Sequence, residues 1–425
     1  MMRVRVSIGS ARNRAKRNKG KGVIVKNVYL DNNATTPVHP EVLTALLPYY
    51  QQAFGNPSSI HWAGREVQGV VEKARQQVAD LIQAQSSEII FTGCGSEGDN
   101  HALIGSYEAL KSKGNHIITT AVEHPAVYDT CQYLEQRGAE VTYLPVDGEG
   151  MLDLAALEAA ITPQTILISV MWANNETGCL FPIEEIGRIA GKHQVRFHCD
   201  AVQALGKVPI DVNRCGVDLM VFSGHKIGAP KGVGAMYIRQ GTELESLIHG
   251  GHQEQGRRAG TLNVAGIVGF GHACKLAQEN LADDIARMKR LRDRLQQGVL
   301  ALPDVSLNGH VDCRLPNTLN VSFSYIEGEG LLLYMDMVGI AASSGSACTS
   351  GSDGPSHVLA AMGVKDAKLH SSVRFSLGPQ TTEEEIDYVL EQLPPIVDKL
   401  REMSPMFERE ISADCLVVEC EIDPH

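Results

Sequence analysis

The chain has 425 residues, 43% of them hydrophobic and 21% charged, which excludes a disordered chain and one small core and leaves room for two packed units sharing a site. No apolar run approaches the roughly 20 residues that cross a bilayer. The ten cysteines are scattered without CxxC pairs or Cys/His groups at zinc spacing, which speaks against a structural metal and for a reducing, cytoplasmic compartment. The net charge of -12 hides nine lysines and arginines and no acid within residues 1–27; a remainder this acidic excludes nucleic acid as an expected partner of the body.

Residues 1–27 read as a basic disordered extension or an over-long start; an organellar presequence is the alternative, being Arg-rich and acid-poor but lacking apolar periodicity. From Tyr29 onward short β-rich runs alternate with helical stretches, the pattern of an α/β fold with a mostly parallel sheet covered on both faces. Seven strands are expected at Glu88–Thr92, His116–Ala121, Glu140–Pro145, Thr165–Trp172, Val195–Cys199, Leu219–Ser223 and Gly234–Ile238, with helices such as Arg65–Ile82 and Ile183–Lys192 between them. Near Asn280 the texture changes to an amphipathic helix carrying Ile285, Met288, Leu291, Leu295 and Val299 on one side, followed by strands at Asn317–Phe323 and Val373–Ser376 and a helix over Thr382–Met403. This divides the chain into a large domain over 36–280, a smaller α+β domain from 28–35 and 281–405, and an irregular tail over 406–425. Ser343–Gly354 is the one long Gly/Ser-rich loop of the C-terminal part.

The polar clusters follow strand ends, where ligands of open α/β sheets collect. Lys226 leaves the apolar run Leu219–Phe222 through Ser223, Gly224 and His225; a surface lysine is the bland reading, whereas a lysine lifted into a pocket can form an imine. Asp200 ends another strand and either caps the following turn or faces a pyridine nitrogen, and both roles can hold together. An Asp and a Lys delivered this way suit pyridoxal 5'-phosphate (PLP), with Gln203 within reach of the ring oxygen. For the phosphate, Thr92-Gly93-Cys94-Gly95-Ser96-Glu97 offers a strand end, glycines and a helix start. Ser96 and Glu97 open that helix, and Ser223 and His225 close on the same group. His124, before Pro125, stands at a strand tip where it can stack on the ring and move protons, or it is an ordinary loop histidine. Cys348, among small polar residues in the Ser343–Gly354 loop, suits a thiolate that travels, although isolated cysteines are more often small buried hydrophobes. Cys199 is expected to point to the face opposite Asp200. Arg374, mid-strand in an apolar context, needs a bidentate partner, either a substrate carboxylate or a structural ion pair.

Together these residues resemble the class V aminotransferase-like PLP enzymes, specifically the NifS/IscS group of cysteine desulfurases. Further carriers are Tyr29-Leu30-Asp31-Asn32-Asn33-Ala34-Thr35-Thr36-Pro37, Gly55-Asn56-Pro57-Ser58-Ser59, Asn174-Asn175-Glu176-Thr177-Gly178 and Gly256-Arg257-Arg258-Ala259-Gly260-Thr261. Met171–Asn175, Gly250–Glu254 and Gly339–Ser343 look nearest to NifS, the member tied to nitrogenase cluster assembly. The resemblance implies a PLP-dependent transferase of fold type I and a homodimer in which Thr261 reaches the phosphate of the neighbouring subunit's PLP. It implies that Asn175 helps Arg374 hold the substrate carboxylate, and that Lys226 and His124 handle L-cysteine while Cys348 takes its sulfur as a persulfide, leaving L-alanine. The sulfur then passes to an Fe–S scaffold protein, with Cys348 at most a transient Fe–S ligand. Two departures stand out: Gly93-Cys94-Gly95-Ser96 where Thr is more usual at the last position, and Gln255 where Arg is common. A selenocysteine lyase is the rival of the same chemistry, and a non-catalytic partner in Fe–S assembly the rival of another class.

Overall fold

Runs such as Thr165–Ser169 and Leu219–Ser223 show no polar alternation, so they are stable only where helices cover both faces of a sheet. In the computed structural model, which describes residues 27–344 and 356–405, every residue of both runs is buried. After β1 (Val28–Tyr29), seven strands make one sheet: β2 (Ile89–Thr92), β3 (His116–Thr120), β4 (Glu140–Leu144), β5 (Thr165–Ser169), β6 (Arg196–Asp200), β7 (Leu219–Ser223) and β8 (Gly234–Ile238). Their order is β2-β8-β7-β6-β5-β3-β4, parallel except for β8, which runs antiparallel to both its neighbours. All seven expected strands are present. The largest discrepancy is at β5, which ends at Ser169 rather than Trp172; beyond it only Val170 and Trp172 still donate to β6, at the carbonyls of His198 and Asp200.

Helices cover this sheet because their apolar residues recur every three or four positions. In Trp62–Ile82 the buried set includes Val67, Val71, Ala74, Val78 and Ile82, and the helix stops at Gln83 in the left-handed conformation. It packs against the 37-residue helix Val264–Leu300. The change of texture near Asn280 therefore falls inside one continuous helix. Ile267, Phe270, Ala273 and Cys274 belong to the main apolar cluster, while Leu291, Leu295 and Val299 belong to a second one.

The second cluster lies against β9 (Val305–Leu307), β10 (Thr318–Phe323), β11 (Ile340–Ala341) and β12 (Ser372–Ser376). An antiparallel sheet runs β12-β10-β9, and β1 pairs in parallel with β11, which draws Val28 and Leu30 into this core. The closing helix, Glu383–Glu402, starts at a capping box between Thr382 and Glu385. Among the described residues no helix is long and apolar enough to cross a membrane.

The approach of the two long helices depends on Gly271, where an added Cβ would stand 2.5 Å from the Cα of Ala74. Gly271→Ala is expected to lower the stability of the chain by about 1–3 kcal/mol through overpacking, read by chemical denaturation. An unchanged midpoint would show that this contact is not tight.

Candidate active site

The stretch after β1 has too many polar groups to join the apolar core and instead satisfies them between the two sheets. Asn32 and Asn33 are almost fully buried. The N–H of Asn32 donates to the Ser376 carbonyl, and that of Asn33 to the Ser376 hydroxyl. Further on, Thr36 donates through both its N–H and its hydroxyl to the His225 carbonyl, and its hydroxyl accepts from Gly228. Residues 31–36 are thereby tied at one end to β12 and at the other to the turn that carries Lys226. The Lys226 ammonium donates to the carbonyls of Asn33 (2.6 Å) and Ala34 (2.9 Å).

Beside Lys226 a cavity of about 310 Å³ opens at the carboxyl ends of the strands, lined among others by Ser96, His124, Asn175, Asp200, Gln203, Ser223, His225 and Lys226. That volume is at the small end of the range for small-molecule sites, about 300–1,000 Å³. On its wall is the start of the 16-residue helix Gly95–Leu110, where the N–H of Glu97 meets Cys94 Sγ at 3.4 Å and those of Gly95 and Ser96 have no acceptor within the helix. Gly95 is required there, since a Cβ would lie 2.8 Å from Val202. Ser223 and His225 line the cavity too, the Cβ of Ser223 3.5 Å from where a Gly95 Cβ would stand, and His225 meets the hydroxyl of Thr35 at 3.1 Å. Burial, helped by Lys226, lowers His225 to about 4, so its ring is neutral at neutral pH.

Asp200 lines the wall at the end of β6. Its Oδ1 accepts the N–H of Val202 at 2.9 Å, so it caps the following turn and lines the cavity together. Burial raises it to about 6, offset in part by the Val202 bond and by Lys226. Asp99 shares the wall and is raised well above the usual carboxylate range by burial and by the charges of Asp200 and Glu123. Its Oδ1 lies 3.5 Å from the equally buried Nε2 of His198. Cys199 is fully buried in the main apolar cluster, as strand alternation from Asp200 requires.

His124 caps the helix Pro125–Glu135, its Nδ1 accepting the N–H of Ala126 at 3.1 Å. A nitrogen that accepts carries no proton, so the neutral ring holds its proton on Nε2. Burial first, then Lys226 and His357, lower its pKa to about 4.

Three expected site residues lie away from this wall. Glu97 turns its carboxylate to Arg258 at 2.8 Å and to the N–H of Gly93, also at 2.8 Å. An anion would be repelled by that group, and Glu97 instead fastens the 256–261 segment to the helix start. Thr261 is exposed and does not line the cavity of its own chain. Arg374 is fully buried behind Asn175: Nη2 donates to Asp31 at 2.9 Å and Nη1 to the Asn175 carbonyl at 3.0 Å. The ion-pair alternative for Arg374 thus has a partner in Asp31, while its Nε has none among the described residues. Cys348 lies outside the described residues.

Two features escaped sequence reading. The carbonyls of Asn33 and Ala34 hold the Lys226 amine, and main-chain acceptors leave no mark in side-chain patterns. Asp99 sits within the Gly-rich segment and would have shown itself as an acid on the buried side of its helix, four residues before Leu103.

Residues 28–389 match the family model described as aminotransferase class-V. Cysteine desulfurase 2 of Trichormus variabilis is 55% identical over 379 residues, which cover 89% of this chain and 95% of that protein. Cysteine desulfurase NifS of Azotobacter vinelandii is 51% identical over 381 residues, 89% and 94% of the two chains. A solved structure titled NifS-like protein superposes with a TM-score of 0.84 at 41% identity, covering 88% of this chain and all of that one. The chain belongs to the class-V aminotransferase family, whose members use PLP. Within that family it belongs to the cysteine desulfurases. The site fits that cofactor on its own terms: N–H donors at a helix start for an anion, two buried carboxyl groups on the wall, Asp200 and Asp99, and the Lys226 amine on the same cavity.

The His124 ring is expected to titrate near pH 4 in a histidine NMR experiment. Since the unfolded ring takes up its proton at about 6.5, this group makes stability fall as pH drops from there towards 4. A midpoint close to 6.5 would contradict the buried, N–H-accepting placement.

Proposed function

We propose that this chain converts L-cysteine to L-alanine with PLP and hands the released sulfur to Cys348 as a persulfide, for delivery to an iron–sulfur scaffold protein. The observation that carries the reading is the meeting of Lys226, Asp200, His124 and an anion-binding helix start on one cavity in a member of the cysteine desulfurase family. Bound there, PLP supplies an electron sink for bond breaking at the amino acid's Cα and Cβ. Lys226 would hold its aldehyde, Asp200 its ring nitrogen and Gln203 its ring oxygen. Ser96, Ser223, His225 and the first-turn N–H groups would hold its phosphate.

The residues of the chain then divide the remaining work. His124, neutral with its proton on Nε2 and on the cavity wall, would lie against the bound ring and exchange that proton with the substrate. Asn175, which lines the cavity, and Arg374 behind it would take the substrate carboxylate, Arg374 by turning a nitrogen from the Asp31 or Asn175 acceptor that it holds here. The Cys348 thiolate attacks the substrate sulfur: an S–S bond forms, the Cβ–S bond breaks, and the electron pair left on carbon is protonated to give alanine.

The working form in this reading is a pair of chains. Tyr50, Phe54, Ile60 and Trp62 are 64%, 74%, 91% and 67% exposed within one short stretch, a concentration of apolar surface that a second copy would cover. Thr261, exposed and off its own cavity, would serve the neighbouring phosphate. The looks of Met171–Asn175 and Gly339–Ser343 favour nitrogenase-related clusters as the destination of the sulfur.

The test is turnover of L-cysteine by protein loaded with PLP, following alanine and sulfide under reducing conditions. Lys226→Ala is expected to lose turnover. Cys348→Ala is expected to keep the visible spectrum of the bound cofactor yet lose sulfur release, a fall of at least about a thousandfold for a missing nucleophile. Undiminished sulfur release by Cys348→Ala would overturn the nucleophile, and alanine formation by Lys226→Ala at the wild-type rate would overturn the lysine.

A further inference from the structure

Lys207 lies at the end of the turn that follows Asp200 and is only 5% exposed. A buried ammonium is unfavourable unless it is paired, yet among the described residues its Nζ meets only oxygens of Gln203: the backbone carbonyl at 3.2 Å and Oε1 at 3.0 Å. The charged groups that face it are cations, Lys226 and Arg374, and the histidine of the same turn as Lys226 feels it as well. Burial above all, with those two cations, lowers Lys207 to about 7. A lysine kept at such a disadvantage, one residue removed from the cavity wall, is not explained by packing.

Its effect follows from the chemistry of the pair. The edge of the Gln203 carboxamide turned towards Lys207 is the oxygen: Lys207 donates to it whether charged or neutral, and the Asn33 carbonyl on the other side can only accept. With Oε1 fixed there, Nε2 donates to the Asn33 carbonyl at 3.0 Å, the same oxygen that receives the Lys226 ammonium. One N–H of Nε2 remains for the cavity that Gln203 lines. Were the amide reversed, an oxygen would face both the Asn33 carbonyl and the cavity.

We propose that Lys207 is a positioning residue: it locks the Gln203 carboxamide in the orientation that presents an N–H, and never an oxygen, to the ring oxygen of the cofactor. This rests on the PLP reading above and deepens it, since it states which edge of the pocket recognises an anionic ring oxygen and what sets that edge.

The experiment is titration of apo-protein with PLP, followed by visible absorbance, for wild type, Lys207→Met, Gln203→Ala and the double variant. Lys207→Met is expected to weaken PLP binding about tenfold, the worth of one well-placed hydrogen bond. The same substitution in the Gln203→Ala background is expected to add almost nothing. Lys207→Gln, which can offer Gln203 either amide edge, is carried alongside as a variant that keeps a polar end and is expected to lose binding likewise. Because a donor stabilises a deprotonated ring oxygen, the pH midpoint of the bound-cofactor absorbance should also rise in Lys207→Met, with Lys226, Arg374 and His225 unchanged. Equal losses with and without Gln203 would mean that Lys207 only supports the fold, and full affinity in Lys207→Met would remove the inference outright. Wild-type protein that takes up no PLP would instead overturn the reading on which it rests.

Discussion

A single main-chain oxygen, that of Asn33, accepts from both Lys226 and Gln203, and most of the site's geometry follows from how that oxygen is held. Residues 31–36 cannot move without breaking bonds to β12 on one side and to the His225 turn on the other. Each of those bonds is worth about 1 kcal/mol, but an orphaned buried partner costs more than the bond contributes. The segment is therefore fixed by what its loss would leave unsatisfied. It gives the amine of Lys226 two main-chain carbonyls, at 2.6 and 2.9 Å, which fix its position.

The electrostatics of the cavity have the same logic. Lys226, Lys207 and Arg374 converge on the carbonyls of Asn33, Ala34, Asn175 and Gln203, while Asp200 and Asp99 are pushed towards protonation by burial. Of these, Lys226, Asp200 and Asp99 line the cavity itself, while Arg374 is paired with Asp31 behind it. Perturbed groups of this kind gather at functional sites more than elsewhere.

Much of this could be read from the chain, and the parts that could not share a cause. The strands Thr165–Ser169 and Leu219–Ser223 were legible as short apolar runs bounded by polar residues, the others as short β-rich runs between helical stretches, and Lys226 and Asp200 were legible because each stands at the end of such a run. Asn33 acts through its backbone, so nothing in its side chain advertised the role. Arg374 meets Asp31 across 343 positions of sequence, a contact no local pattern encodes. The helix Val264–Leu300 looked like a boundary because its two halves face different cores, and Glu97 looked like a phosphate ligand because a helix start is a good anion site whatever its own acid is doing.

The central claim is that Lys226, and not its buried neighbour Lys207, is the amine that takes the cofactor's aldehyde. Borohydride reduction of PLP-loaded protein, followed by proteolysis and mass spectrometry, tests it directly, because reduction makes the carbon–nitrogen link permanent. The account predicts a phosphopyridoxyl group on the peptide carrying Lys226 and none on the peptide carrying Lys207. A label on Lys207, or a loaded protein that yields no labelled lysine, would contradict it.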